Sequence, residues 1–259
     1  MKRAAAMAAL LVLTGCAGVR PAPPPPPQGY LVEADHLTIA QTSSPSPVPE
    51  DASAFDVIAP GTDRWWLAIA HAELRAPYAA QHFDCVLDTR LNQRPRPALT
   101  RLMQRLLVDA DALTRGLAVR HPRPRPVAAI AGLEPCQRTD RAMLQSPSWP
   151  ASGAVTGAVY GELFADLAPD RADAARKTGQ EIGRSRMLCR MNWPSDVADG
   201  YALGRTLYAR VAQEPSFRRD LEAARAEMAE ARAETLSNPG CAAERRALVQ
   251  AGRGAASAP

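Results

Sequence analysis

Gly183 to Gly200, GRSRMLCRMNWPSDVADG, decides how the chain is read. Ser185, Arg186 and Asp196 stand there at the spacing of a phosphate-handling motif. An arginine fork makes charge-assisted, bidentate bonds to phosphate oxygens, and a carboxylate four residues after position 192 is placed to orient a basic ring at that position. Position 192, however, is asparagine. Its amide nitrogen is delocalised and non-basic, so it cannot serve as a nucleophile toward phosphorus. No histidine can be shifted into register, because His36, His71, His82 and His121 all precede residue 150.

Upstream, Trp149-Pro150-Ala151-Ser152-Gly153-Ala154 leads into the helical pattern VTGAVYGELFADLAP. A proline and small residues opening a helix leave its first N–H groups facing outward, where an anion is favoured. Gly157 and Gly161 are spaced for close packing against a neighbouring helix. Further upstream AVRHPRPRP ends at Arg125-Pro126. Its plainest reading is a stiff basic connector, since a similar RPRP stands at Arg94 to Pro97. Beyond the first residues of the chain Lys177 is the only lysine.

These three stretches, in this order, resemble the signatures of the phosphatidic acid phosphatase type 2 superfamily, and within it the bacterial class A (non-specific) acid phosphatases. The third signature, S-R-x5-H-x3-D, is matched by Ser185, Arg186 and Asp196, with Asn192 in place of its histidine. The second, P-S-G-H, falls on Pro150 to Gly153 and puts Gly153 at the position of the proton-donating histidine; matching Ser152-Gly153 instead puts Ala154 there. The first, K-x6-R-P, ends at Arg125-Pro126 with Ala118 for the lysine, or at Arg123-Pro124 with Gly116. The resemblance runs from about Pro47 to the C-terminus. It implies an all-α, single-domain fold, a phosphate or phosphomonoester ligand, and phosphate contacts from Arg125, Ser152, Gly153, Ser185 and Arg186, with Asp196 as the orienting group. The substitutions at 118, 153 and 192 imply a non-catalytic homologue. Its rivals are an active phosphomonoesterase with a non-standard nucleophile, for which His121 is the only histidine near a motif, and a structural envelope protein. A closed Arg186–Asp196 pair is the expectation that goes with an unoccupied pocket.

Composition agrees with helices. The chain has 259 residues, 46% of them hydrophobic and 5% aromatic, which favours one helical core over sheet. Residues 98 to 117 carry the cleanest amphipathic pattern, with Asp109, Asp111 and Arg115 off the apolar stripe. Residues 215 to 236 repeat it more weakly. With 31 basic against 27 acidic residues the charge is too balanced for a nucleic-acid binder.

Residues 1 to 15 read as a lipoprotein signal peptide ahead of Leu13-Thr14-Gly15-Cys16, with Cys16 the expected lipidation site. That places the protein in the periplasm, lipid-anchored in the envelope, with the outer membrane as the expected site. Residues 16 to 60, rich in proline, are expected to be a disordered tether and irregular arm, residues 61 to 250 the folded domain, and 251 to 259 a frayed tail. The remaining cysteines, Cys85, Cys136, Cys189 and Cys241, are even in number for an oxidising compartment. Of three connectivities the favoured one is Cys136–Cys189 with Cys85–Cys241. No cofactor is expected, and zinc fits poorly because no two cysteines show ligand spacing.

Overall fold

A computed structural model of the chain describes residues 25–47, 55 and 58–255, with side chains described as far as residue 249. Eight helices of at least eight residues build it: α1 (Glu33–Gln41), α2 (Asp63–Ala70), α3 (Pro97–Arg120), α4 (Ser152–Leu167), α5 (Ala172–Leu188), α6 (Pro194–Val211), α7 (Pro215–Ala233) and α8 (Cys241–Ala255). Single helical turns fill the connections, and no strand occurs among the described residues. The fold is all-α, as the composition and the resemblance imply.

The amphipathic segment read at residues 98–117 becomes α3, begun by Pro97, whose missing N–H costs nothing in a first turn. Leu99, Leu102, Met103, Leu106, Leu113 and Leu117 form its buried stripe. α7 packs against it with Phe217, Leu221, Ala224, Met228 and Ala231 buried at helical steps.

α4 is apolar nearly all round, as a helix enclosed by its neighbours must be. It packs chiefly on α5 and α6. The approach is closest at glycines. A Cβ on Gly157 would lie 2.5 Å from the Gly179 carbonyl oxygen, and one on Gly204 2.4 Å from that of Val155. No larger residue fits without forcing the helices apart. This tight three-helix packing fixes where the N-terminus of α4 and the ends of α5 and α6 meet.

Two bridges staple the periphery. Cys85 is bonded to Cys241 and Cys136 to Cys189, the second joining the loop before α4 to the end of α5.

The expectation for the arm needs correcting. Residues 33–41 of the segment read as irregular form α1, which packs on α3. The structural reason is polar. Asp109, read as lying off the apolar stripe, is fully buried and accepts the backbone N–H groups of Tyr30 (2.7 Å) and Leu31 (3.2 Å). Tyr30 also donates to Asp220 and lies under the Arg105 guanidinium. α1 buries only Ile39 and Ala40, too few apolar positions to leave a periodic signal. Cys16 and the leader lie outside the described residues.

Candidate anion site

The end of α5, the start of α6, the loop Arg123–Pro126 and the start of α4 converge on one place. α6 begins at Pro194, and Asp196 on its first turn accepts the Trp193 N–H at 3.1 Å, as an N3 carboxylate in a capping arrangement does. Asp196 is fully buried and saturated. Its other partners are the Ser148 hydroxyl (2.5 Å) and the Arg123 guanidinium (2.5 Å). Burial pushes its carboxyl above the ordinary aspartate range, although Ser148, Trp193 and Arg123 all favour the ionised form.

Asn192 is buried beside it. Its amide nitrogen donates to the Ser148 carbonyl oxygen at 2.6 Å. Ser148 thus accepts from Asn192 and donates to Asp196, and its own N–H donates to the Arg123 carbonyl at 2.7 Å. Arg123 reaches further, to the Ser46 carbonyl at 2.6 Å. Ser46 in turn donates through N–H (2.9 Å) and hydroxyl (2.7 Å) to Asp199, which also receives the Trp149 indole N–H. The N-terminal arm is therefore latched to this half of the site.

The other half contrasts with it. Arg125 spends part of its fork on protein oxygens: the Met191 carbonyl (2.7 Å), the Met143 carbonyl (3.1 Å) and the Ser146 hydroxyl (3.0 and 3.1 Å). Burial lowers its pKa, with Asp196 partly opposing. Arg186 makes no side-chain hydrogen bond or ion pair with any described residue. Its half-buried guanidinium is held down to about 10, first by burial and then by the neighbouring Arg125 charge. The stem of Arg186 lies over Gly153, where a Cβ would meet its Cγ at 2.8 Å and its Cδ at 2.9 Å. Gly153 is in the first turn of α4, which no side chain caps. A cation beside another cation at a helix N-terminus is electrostatically unfavourable unless an anion lies between them.

The chain is similar to bacterial non-specific acid phosphatases. It is 27% identical to the non-specific acid phosphatase of Providencia stuartii over 170 residues, covering 65% of this chain and 68% of that protein. The non-specific acid phosphatase of Salmonella typhi is 26% identical over the same shares. The acid phosphatase of Zymomonas mobilis is 31% identical over 175 residues, 66% of this chain and 65% of that one. No protein-family model matches the chain.

The structure brings together Arg125, Gly153, Arg186, Asn192 and Asp196 of the residues singled out in the sequence. Ser152 is exposed at the tip of α4. Two expectations change. Ser185 is turned to the opposite face of α5, where its hydroxyl donates to the Glu181 carbonyl, accepts from Arg64 (3.0 Å) and lies 2.8 Å from His71 Nδ1. Neighbours on a helix point about 100° apart, so Ser185 and Arg186 meet different surroundings here. Nor do Arg186 and Asp196 pair, because Arg123 takes the carboxylate first. Ala118 lies near the end of α3, and His121 sets its ring against Trp149 at 5.1 Å.

Ser148 was missed. A lone serine between Pro147 and Pro150 carries no periodicity or motif, so only its partners reveal it. Arg123 had a signal, the second register of the Arg-Pro pair. Among the described residues no group of three or more His, Cys, Asp or Glu is placed to hold a metal ion, and no helix is long and apolar enough to cross a membrane.

Proposed function

We propose that this protein is an acid-phosphatase-like envelope lipoprotein that binds phosphate or a phosphomonoester without hydrolysing it. Arg186 and Arg125 hold the anion, with the N-terminal turn of α4 at Ser152 and Gly153. The observation that carries the reading is the Arg186 guanidinium, half-buried beside a second arginine over an uncapped helix start and without a carboxylate partner among the described residues. Burying an unpaired charge is costly, and a bound oxyanion removes that cost with bonds of the strong, charge-assisted kind.

Support for the lack of turnover comes from the neighbouring half. Asn192 has no basic nitrogen, and the amide group it has is committed to Ser148. Gly153 offers no proton to a leaving oxygen, and the position its side chain would take is filled by Arg186. Nucleophile and acid are each worth orders of magnitude in rate, and both are absent. The lipid anchor rests on the Leu13-Thr14-Gly15-Cys16 sequence, and an extracytoplasmic location on the same leader.

Titration calorimetry with inorganic phosphate, run beside turnover of p-nitrophenyl phosphate on the same samples, tests this. Binding without turnover is expected, weakened about ten- to a hundredfold by Arg186→Ala, the range for a hydrogen bond to a charged group. Turnover that Arg186→Ala abolishes would overturn the reading.

A further inference from the structure

A second concave surface lies away from the anion site, between α1 and α3. It is a cleft of about 570 Å3, within the size range of small-ligand sites, lined by Gly29, Leu37, Ala40, Val108, Ala112 and Leu113 among others. Arg115, Gly116 and Arg120 continue its α3 side. Val119 is three residues from Gly116 and seven from Ala112, which puts it on the same face of the helix.

Among the described residues six large apolar side chains stand exposed; Leu37 (48%) lines the cleft, and Val32 (66%) and Val119 (81%) adjoin lining residues along the chain. The others, Trp66, Tyr78 and Val249, belong to different elements. Apolar groups gathered around a concave, mostly apolar floor mark a contact surface in a way that scattered ones do not.

The chain itself indicates what meets this surface. The N-terminal arm joins the fold here, with the Gln28 and Gly29 carbonyls accepting from Arg105 and Gly29 lining the cleft. Pro25 is only nine residues from Cys16, at most roughly 30 Å of extended chain. Gly29 on the cleft is four residues further on, so any membrane that holds Cys16 is held within roughly 45 Å of it. The charged groups that line it are of both signs: Glu33, Asp109 against His36, Arg115 and Arg120. Arg115 faces Asp111 at 3.8 Å and Glu33 is exposed, while the Arg120 side chain reaches only the Gly116 carbonyl.

We propose that the α1–α3 cleft is a docking face for phospholipid of the bilayer to which the arm leads. An acyl chain lies against Leu37, Ala112 and Leu113, Val32 and Val119 enter the interface, and the headgroup phosphate is met by Arg120. This rests on the anchoring reading of Cys16 and not on the anion site.

The test uses the chain from residue 17 onward, which keeps every described residue and has no lipid of its own. Flotation with vesicles of phosphatidylethanolamine and phosphatidylglycerol should carry the protein upward. Leu37→Asp and Val119→Asp should each weaken partitioning about tenfold, in line with the transfer free energy of a buried aliphatic side chain. Val249→Asp on α8 should leave it unchanged. Leu37 and Val119 are exposed, so thermal melts should match that of the unaltered chain. No flotation of the unaltered chain, or equal flotation of all variants, would overturn the proposal. Mass analysis of the mature N-terminus of the full chain separately reports lipidation of Cys16. Unchanged flotation of Arg186→Ala separates this surface from the anion site.

Discussion

The two halves of the anion site are made by the same segments and end in opposite states. Around Asp196 every polar group has a partner inside the protein: Ser148, Arg123 and Trp193 meet the carboxylate, Asn192 meets Ser148, and Arg123 continues to Ser46. Around Arg186 the side-chain donors have no partner among the described residues, and the Arg125 charge acting on it is of the same sign. Where the resemblance expects an imidazole, neutral and charged groups of the protein close on one another. Where a fork meets a helix start, no carboxylate of the described residues closes on it, and the proposed anion site lies there.

The largest expected effect breaks the closed half. Arg123→Ala strands the buried Asp196 charge and releases Ser46, and should cost about 3–5 kcal/mol in urea unfolding, the range for removing one partner of a buried pair. A loss below 1 kcal/mol would mean that Asp196 is not held as an ion. Ser148→Ala comes next, at about 1–3 kcal/mol, since it leaves one carboxylate oxygen short of a donor. Phosphate binding should survive it. Equal damage to binding and stability would erase the distinction between the halves.

A smaller effect comes from the back of α5, where Ser185 meets His71. Burial lowers the pKa of His71 well below its ordinary value and that of His82 as well. The folded state therefore binds fewer protons than the unfolded chain below about pH 6.5, and stability is full above that pH and falls as it is lowered. Between pH 6.5 and 5.5 a loss of about 1 kcal/mol for each imidazole that stays neutral is expected, visible as a falling melting temperature. A flat profile would show that the two imidazoles are not buried neutral. The smallest effect sharpens the open half. Gly153→Ala pushes its Cβ into the stem of Arg186 and should weaken phosphate binding by roughly two- to fivefold, under about 1 kcal/mol, with little change in unfolding. Tighter binding would mean that the stem does not rest on Gly153.

Legibility varied with how local the cause was. α3 and α7 were visible as apolar periodicity because each buries one continuous stripe. α1 was not, because hydrogen bonds to Asp109 from Tyr30 and Leu31 hold its start, and a buried aspartate on a helix looks in the sequence like a solvent-facing one. The substitutions at 153 and 192 could be read directly, since no register supplies a histidine. Ser148 had no signal of its own, and Ser185 carried a misleading one.

The sequence by itself determined the helical class, the order of the three phosphate-handling stretches and the absence of a basic ring, because these depend on residue type and spacing along one chain. Only the tertiary structure decided which arginine takes Asp196, which way Ser185 points and that Arg186 stands over Gly153 with no side-chain partner among the described residues. Those outcomes are competitions among side chains from distant segments, settled by the rotation of α5 and the glycine-level approach of α4, α5 and α6, and no local pattern encodes who arrives first.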